Sequence, residues 1–446
     1  MENISLSTQL LIDSLILTED EDLMPQKFWS EMVEKMLNHL SQYHSLLIAD
    51  KHTVNPPSVQ LLILIGGILG NRVTSKYLHS DSALAQACTD VLSAIKERCD
   101  VVSIRQLLLL PPLKSSKPHC DNLCTQFIRL TVSKIAQTST KASTIDPLNT
   151  HPLHRDAILW LCVELNYPEL ANEEFVGVIQ PLGLRLTTDH RSHLRLAGFR
   201  ILQELANKAR LADWRQSNRA EAVIHQLFDQ HIGSSPNFSE SVLRELYKTL
   251  FVLVRLLPPT KQHEFNLKLA DRLLFDLTME NRIPNQGVLL RFLSELMDHL
   301  ESTFAMLSRQ FMRVVSIILL GPRCPTHLRQ QSVDGDSQDE TVYVLMLECV
   351  GKLITSCWPL VSPSLISGLI PPLVAFVDLE AARCISCGVE PSLVSPAFQQ
   401  LKQIFSSLIR LDPRVYHDIL LSACSCVPHL KSLMPVQPVP STLFCT

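Results

Sequence analysis

The chain of 446 residues carries 40 basic and 44 acidic side chains, a net charge of −4, with no run of lysine or arginine. This balance excludes a surface that binds nucleic acid by neutralising phosphates. The 13 glycines, against 27 prolines, leave few positions for the positive-φ turns on which phosphate loops and nucleophile elbows depend. The composition therefore favours a helical scaffold over a catalytic cleft.

Residues 1–150 are predicted to form a divergent N-terminal helical region that ends at a domain boundary near residue 150. Gly66, Gly67 and Gly70 lie in an apolar helical segment. No lysine–hydroxyl pair follows them, so we predict close helix packing here and not a phosphate-binding loop. Linkers are expected at 111–122 and 138–151. The predicted helices span 5–18, 26–49, 57–70, 80–98 and 101–110.

The apolar periodicity is clearest after residue 150. Residues 158–165 carry apolar side chains at i, i+3, i+4 and i+7, which indicates an amphipathic helix. Pro168 is expected to end this helix, and Pro181 to kink the next one. Gly198 lies on the apolar face of a third helix and predicts a close approach by a neighbour. Two more helices are expected over 223–232 and from 242 to the break at 258, and later ones near 261–279, 285–301, 303–320, 343–354, 362–381, 394–411 and 414–424.

Helical segments of 12–20 residues, joined by short proline or glycine corners, give a hairpin period near 40 residues. Such a period is typical of HEAT and armadillo repeats. The predicted fold is therefore all-α, an α-solenoid of degenerate HEAT/armadillo-like helical hairpins over residues 151–430. An all-α globular protein is the alternative. The polar segment 321–340 is predicted to be a disordered loop, and residues 431–446 a flexible tail.

Cysteine is the residue type that raises a metal or thiol site as an alternative. Cys384 and Cys387 form a lone C-x-x-C, to which Cys424, Cys426 and His429 could add ligands. Zinc sites usually show paired motifs with fixed spacing, so buried thiols are favoured. The N-terminal segment lacks the basic region of a secretory signal, so the 13 cysteines are expected to be reduced thiols in an intracellular protein.

Other residue clusters give no catalytic signature. His151/His154 and His190/His193 are i, i+3 pairs, which we interpret as helix-surface or capping histidines. The motifs of P-loop, Rossmann, zincin, α/β-hydrolase and kinase enzymes are absent. The sequence therefore predicts no enzyme and no cofactor, and no catalytic or metal-binding residue.

Two uncharged stretches, Thr53–Asn71 and Leu353–Val377, resemble membrane spans by composition. Prolines interrupt both, and their freed backbone groups would lack partners in lipid. We predict buried helices in both places and no membrane association. Three tryptophans, Trp160, Trp214 and Trp358, are expected to pack in the core, with a partner interface as the alternative.

Several separate motifs in residues 150–411 resemble one known family. The segment HRDAILWLCVELNYPELANEEFVGVIQPLGLRL (154–186) is similar to the helix pair that opens the conserved region of the second Tel-two-interacting protein family. Thr188-Asp189 stands where that family has an acidic pair. The matching positions are Trp160, Pro168, Pro181, Gly198, Asn218-Arg219-Ala220, Val223 and the corner Cys357-Trp358-Pro359-Leu360-Val361-Ser362.

The resemblance implies a non-catalytic α-solenoid that is the smallest subunit of the TTT co-chaperone complex. Its implied partners are the Tel-two protein and the large first Tel-two-interacting protein, and indirectly the heat-shock-protein-ninety chaperone and the phosphatidylinositol-3-kinase-related kinases. The implied location is the cytoplasm and nucleus. We expect the charge-poor stretch 353–377 to contact the large subunit. A different HEAT-like adaptor or trafficking scaffold is the alternative, and a zinc- or thiol-dependent protein a more distant one.

Overall fold

The computed structural model describes residues 2–15, 24–49, 56–74, 82–111, 122–138, 151–166, 173–215, 218–231, 238–321, 335–358, 360–386 and 396–434. Within these ranges the chain forms helices and no strand. The all-α prediction is confirmed.

The α-helices of the described residues are short to medium in length and follow one another closely. In unbroken order they are α1 Glu2–Asp13, α2 Gln26–Ala49, α3 Val59–Thr74, α4 Ser82–Arg98, α5 Ile104–Leu108, α6 Leu123–Thr138, α7 Pro152–Glu164, α8 Glu173–Thr187, α9 Ser192–Lys208, α10 Leu211–Arg215, α11 Arg219–His231, α12 Glu240–Val254, α13 Pro259–Met279, α14 Ile283–Leu300, α15 Ser308–Leu320, α16 Gly335–Cys357, α17 Pro363–Ser367, α18 Ile370–Ser386, α19 Pro396–Leu411 and α20 Pro413–Cys424. Two 3₁₀ helices span Glu301–Leu307 and Pro428–Leu433.

The chain divides into two compact units. Unit 1 holds residues 1–225 and 248–256, and unit 2 holds residues 226–247 and 257–446. The boundary predicted near residue 150 does not separate these units, because α3 packs against α7 inside unit 1. Helix α6 also belongs to this packing, although the sequence predicted no helix over its residues.

Three glycines of α3 allow its close contact with α7. A Cβ added at Gly66 would lie 2.6 Å from Cε3 of Trp160, and one added at Gly70 would lie 2.0 Å from the carbonyl oxygen of Asp156. Real Cβ atoms do not approach other atoms so closely, so only glycine fits. The predicted role of these glycines in helix packing is confirmed.

Helices α8 and α9 form a second glycine-dependent pair. A Cβ at Gly198 of α9 would lie 2.6 Å from the carbonyl oxygen of Gly183 and 2.7 Å from the backbone nitrogen of Thr187. The backbones of the two helices are therefore in near-direct contact. The close approach predicted at Gly198 is confirmed, whereas Gly183 on the facing helix was missed.

The start of α7 buries polar side chains in unit 1. The Arg155 guanidinium donates to both carboxylate oxygens of Asp156, at 2.9 and 3.1 Å. His151 occupies the N-cap position, and His154 follows in the first turn. Both histidines are buried, so the helix-surface interpretation was wrong, whereas the capping interpretation places His151 correctly at the N-cap position. Burial, together with the nearby His151 and Lys134, lowers the pKa of His154 to about 4.

In unit 2, alternate helices pack against one another. Helices α13, α15 and α18 contact each other in sequence, and we call them row one. Helices α14, α16 and α19 do the same, and we call them row two. Each α13–α14 and α15–α16 pair also packs together. Each of these helix pairs therefore contributes one helix to row one and one helix to row two.

Polar contacts show that α14 and α16 of row two run parallel. Between α14 and α16, Lys352 Nζ donates to the carbonyl oxygen of Ser294 at 3.1 Å and contacts Asp298 at 2.6 Å. The Sγ of Cys357 lies 3.6 Å from the carbonyl oxygen of Glu301, further along both helices. The same offset, maintained from turn to turn, is the register of two parallel helices.

Three segment boundaries differ from their predictions. Residues 335–340, expected in a disordered loop, form the first turns of α16, and acidic residues are common at the start of a helix sequence because they suit its dipole. The helix predicted over 362–381 is two helices, α17 and α18. Residues 431–433, expected in a flexible tail, belong to a 3₁₀ helix, and Leu433 is buried. Residues 322–334 and 435–446 lie outside the described residues.

Two helical stretches, 283–320 and 363–382, are long and apolar enough to cross a membrane by length and composition alone. Core helices of soluble proteins pass the same test. In the first stretch Leu289, Leu290 and Leu293 are fully buried, and in the second Leu373 and Phe376 are. These side chains pack within unit 2.

A methyl group at Gly198 is expected to destabilise the protein. Gly198→Ala must push α8 and α9 apart, at a cost of about 1–3 kcal/mol for overpacking. The measurement is the free energy of unfolding from urea titration.

The matched control is Gly351→Ala in α16, where an added Cβ meets nothing within 4 Å. This variant should be more stable by roughly 0.5–1 kcal/mol, since alanine favours the helix over glycine. Equal effects of the two substitutions would contradict the packing argument.

Candidate protein-interaction surface

Two of the three predicted tryptophans pack in the core. Trp160 is 4% exposed and lies beside the Phe127 ring, with the centroids 6.2 Å apart. Trp214 is fully buried, and its indole Nε1 donates to the carbonyl oxygen of Leu205 at 3.2 Å. The core interpretation is confirmed for both. Trp358, after the end of α16, is half-buried.

The other family-motif positions are dispersed. Pro181 lies inside α8 and is exposed. Arg219 begins α11 and is half-buried, after Asn218, whose φ of 52° is one that asparagine tolerates. Pro168 and Pro359 lie outside the described residues. The motif positions that the structure describes differ in burial, and their role in partner binding stays a prediction.

The charge-poor stretch 353–377 is buried, as the sequence predicted, and so does not offer the apolar surface on which the expected partner contact depended. Leu353, Leu373, Phe376 and Val377 are at most 1% exposed. Leu360 is its large apolar side chain that faces solvent, at 65% exposure. The absence of charge in this stretch is explained by burial in unit 2, so the physical reason for a partner contact there was wrong.

Three buried cysteines of the described residues have strongly raised pKa values. Burial raises the pKa of Cys88 and Cys349 to about 12 and that of Cys357 to about 11. These thiols are protonated at neutral pH, and a protonated thiol is a poor nucleophile. The described part of the chain holds no group of three or more metal-ligating side chains. Cys387 lies outside it, so elemental analysis is the test of the zinc hypothesis.

The inner face of α13 is fixed by apolar and polar contacts. Leu273, Leu274 and Leu277 are fully buried. The Tyr247 hydroxyl donates to Oδ2 of Asp276 on the same face at 3.4 Å. Burial raises the pKa of Asp276 to about 6, although the charge of Arg272 opposes this shift. These contacts determine which side of the helix faces the core.

The turn from α13 to α14 is held by the Glu280 carboxylate. It accepts hydrogen bonds from the backbone N–H of Arg282 at 3.0 Å, from the Arg282 guanidinium at 2.8 Å and from Nδ2 of Asn285 at 2.8 Å. Although burial opposes ionisation, these donors lower the pKa of Glu280. The ionised carboxylate is thus a fixed acceptor that sets the angle between the two helices.

The outer face of α13 carries exposed apolar side chains. Phe275 and Met279, one turn apart, are 43% and 59% exposed. The Arg272 guanidinium lies 4.7 Å from the centre of the Phe275 ring, a cation–π contact. The buried leucines and Asp276 fix the opposite face of α13 against the core, so Phe275 and Met279 cannot turn inward.

Helix α15 presents a similar pair beside them. Ile317 and Leu320 are each 43% exposed. Gln310 Nε2 of α15 donates to the carbonyl oxygen of Asp271 of α13 at 3.0 Å. Helices α13 and α15 pack against α14 and α16, which run parallel, so we infer that α13 and α15 also run parallel to each other. Seven residues, about two turns, further along each helix then bring Ile317 level with residue 278. Phe275, Met279, Ile317 and Leu320 therefore form one exposed cluster, which we call the α13–α15 surface.

Exposed apolar side chains of unit 2 are distributed unequally between the rows. Among the described side chains, large apolar residues are exposed on row one, on α13, α15 and α18. On row two, the exposed side chains of α14, α16 and α19 that the structure describes are polar or small. The sequence analysis missed the α13–α15 surface, but a helical projection would have shown Phe275 and Met279 opposite the apolar stripe.

Comparisons with known proteins identify no family for this chain. No family profile matches it, and no curated protein matches it significantly.

Replacing Asp276 is expected to change the pH dependence of stability. The pKa of Asp276 is higher in the folded than in the unfolded state. Its contribution to the free energy of unfolding is therefore fully present below the unfolded pKa, near 4, and is lost as the pH rises through about 6. Asp276→Asn should remove this loss. At pH 8 the free energy of unfolding of this variant should exceed that of the wild type by up to roughly 3 kcal/mol, whereas at pH 4 the two should be similar.

The measurement is the free energy of unfolding against pH. Asp271→Asn, at an exposed position of the same helix, is the control and should leave the pH profile unchanged. A destabilised Asp276→Asn variant at pH 8 would show that the carboxylate charge supports the fold.

Proposed function

We propose that this chain is a non-catalytic helical-repeat scaffold that binds a partner protein through row one of unit 2. The observation that carries this proposal is the unequal exposure of the two rows. Folding requires each helix to bury one face but does not require apolar side chains on the other. Clustered exposed apolar residues of this kind mark interaction sites in soluble proteins.

The contacts between alternate helices support the repeat arrangement that we propose. In unit 1 the Lys208 ammonium of α9 donates to the carbonyl oxygen of Cys162 in α7 at 2.9 Å. In unit 2 Lys352 of α16 donates to Ser294 of α14. Both link a helix to the next but one, as neighbouring hairpins of a HEAT-like solenoid do.

The resemblance supports a specific assembly. The motifs from Trp160 to Ser362 resemble the second Tel-two-interacting protein family, so we propose that the scaffold is a subunit of a TTT co-chaperone complex. Its partners would be the Tel-two protein and the first Tel-two-interacting protein, acting with the heat-shock-protein-ninety chaperone on phosphatidylinositol-3-kinase-related kinases. The cytoplasm and nucleus would be its location.

Co-purification of the tagged full-length chain from its own cells, followed by mass spectrometry, tests the assembly. We expect the two TTT subunits in stoichiometric amounts. Recovery of a different stoichiometric partner would favour another adaptor, and a folded chain that recovers no partner would reject the scaffold.

The double variant Met279→Glu/Ile317→Glu tests the surface. Placing two carboxylates on the α13–α15 surface should reduce the recovered partner at least tenfold, because charges at an apolar contact lose their hydration. Val102→Glu is the control, since Val102 is 87% exposed and lies in unit 1. Circular dichroism must show that all variants keep the wild-type helix content.

A further inference from the structure

The α13–α15 surface continues into a basic region along α15. Arg313 lies one turn and Arg309 two turns before Ile317, and both are exposed on the same side of the helix. Neither forms an ion pair within the described residues. Asp271 on α13 is the exposed acid at this level, where its carbonyl oxygen accepts from Gln310. The two arginines therefore leave this end of the surface positive.

Two other basic side chains of α13 are already paired with carboxylates. Lys268 of α13 contacts Glu264 at 2.6 Å, one turn earlier. Arg272 lies 3.4 Å from the buried carboxylate of Asp276 while stacking on Phe275. Among the described residues, Arg309 and Arg313 thus provide unpaired positive charge at one end of the surface. The exposed apolar side chains lie at its other end.

The spacing of the apolar side chains suits a helix as occupant. Phe275 and Met279 are at i and i+4, and Ile317 and Leu320 at i and i+3, on two parallel helices that pack together. An amphipathic helix that lies between two helices makes its contacts through residues at i, i+3, i+4 and i+7.

We propose that the α13–α15 surface binds an acidic amphipathic helix of the partner protein. Leucine-like side chains of this helix cover Phe275, Met279, Ile317 and Leu320, and its carboxylates face Arg309 and Arg313. This proposal rests on the proposed scaffold function and adds the chemistry of the partner.

The sequence of the adjoining segment argues against an occupant from this chain. Residues 322–334 read PRCPTHLRQQSVD, with two arginines and one aspartate. Their net charge has the same sign as that of Arg309 and Arg313. Leucine and valine each occur there once, which is too few for an apolar helical stripe. The segment 322–334 therefore does not supply the complementary negative charge, which the proposal assigns to a partner.

Binding of two labelled peptides to the purified full-length chain tests the proposal. Both are 18-residue amphipathic helices with leucines at i, i+3, i+4 and i+7; one carries glutamates on its flanks and the other lysines at the same positions. We expect the glutamate peptide to bind about tenfold more tightly at low salt, in fluorescence anisotropy. Added salt should reduce this preference.

Two double variants connect the result to the surface. Arg309→Glu/Arg313→Glu should reverse the preference to the lysine peptide, and Met279→Glu/Ile317→Glu should abolish binding of the glutamate peptide. Val102→Glu should bind like the wild-type chain. All are exposed positions, so the variants should fold, which circular dichroism checks.

Four results would overturn the proposal: equal affinity for both peptides, no binding of either, a preference that survives the arginine reversal, or tighter binding after deletion of 322–334.

Other outcomes would assign the surface differently. If the wild-type chain self-associates and Met279→Glu/Ile317→Glu does not, the occupant is a second copy of this chain. A native partner that still co-purifies with this variant would reject the surface while the scaffold function stands. A chain that binds the peptide but recovers no native partner would reject the scaffold.

Discussion

The burial of one face of each helix is the constraint on which this structure depends. On α13, the buried leucines and the Tyr247–Asp276 hydrogen bond direct one side to the core. With 3.6 residues per turn, Phe275 and Met279 are then forced to the opposite side. The exposed apolar surface is thus a consequence of the inner contacts, and its position cannot change unless α13 rotates.

The helices reach their packed positions by two different means. In unit 1, glycines have no side chain to separate the helices, so backbones come into contact, as at Gly70 facing Asp156 and at Gly198 facing Gly183. In unit 2, a Cβ added at Gly351 would meet nothing within 4 Å, so this glycine serves no close approach of helices. Basic side chains add a polar link in both units, where Arg98 donates to Leu47 and Lys352 to Ser294, satisfying backbone carbonyls of a neighbouring helix.

The errors of the sequence analysis share one physical origin. Apolar stretch 353–377 and the His151/His154 pair have local patterns that fit either a surface or a core. Local sequence reports how polar a segment is, but burial depends on which other segments pack against it. Residues 335–340 were misassigned because their polarity suits a loop as well as an acidic helix start.

The sequence by itself determined that the chain is helical, where most helices begin and end, and that the glycines at 66–70 and 198 serve close packing. These properties follow from short-range geometry: a 3.6-residue period, proline breaks and the missing Cβ. Tertiary structure alone decided which apolar stripes meet inside the chain and which, like that of Phe275, Met279, Ile317 and Leu320, face outward. The reason is that periodicity defines the side of a helix on which apolar residues lie, whereas the choice between a partner within the chain and one outside it requires knowledge of every neighbour.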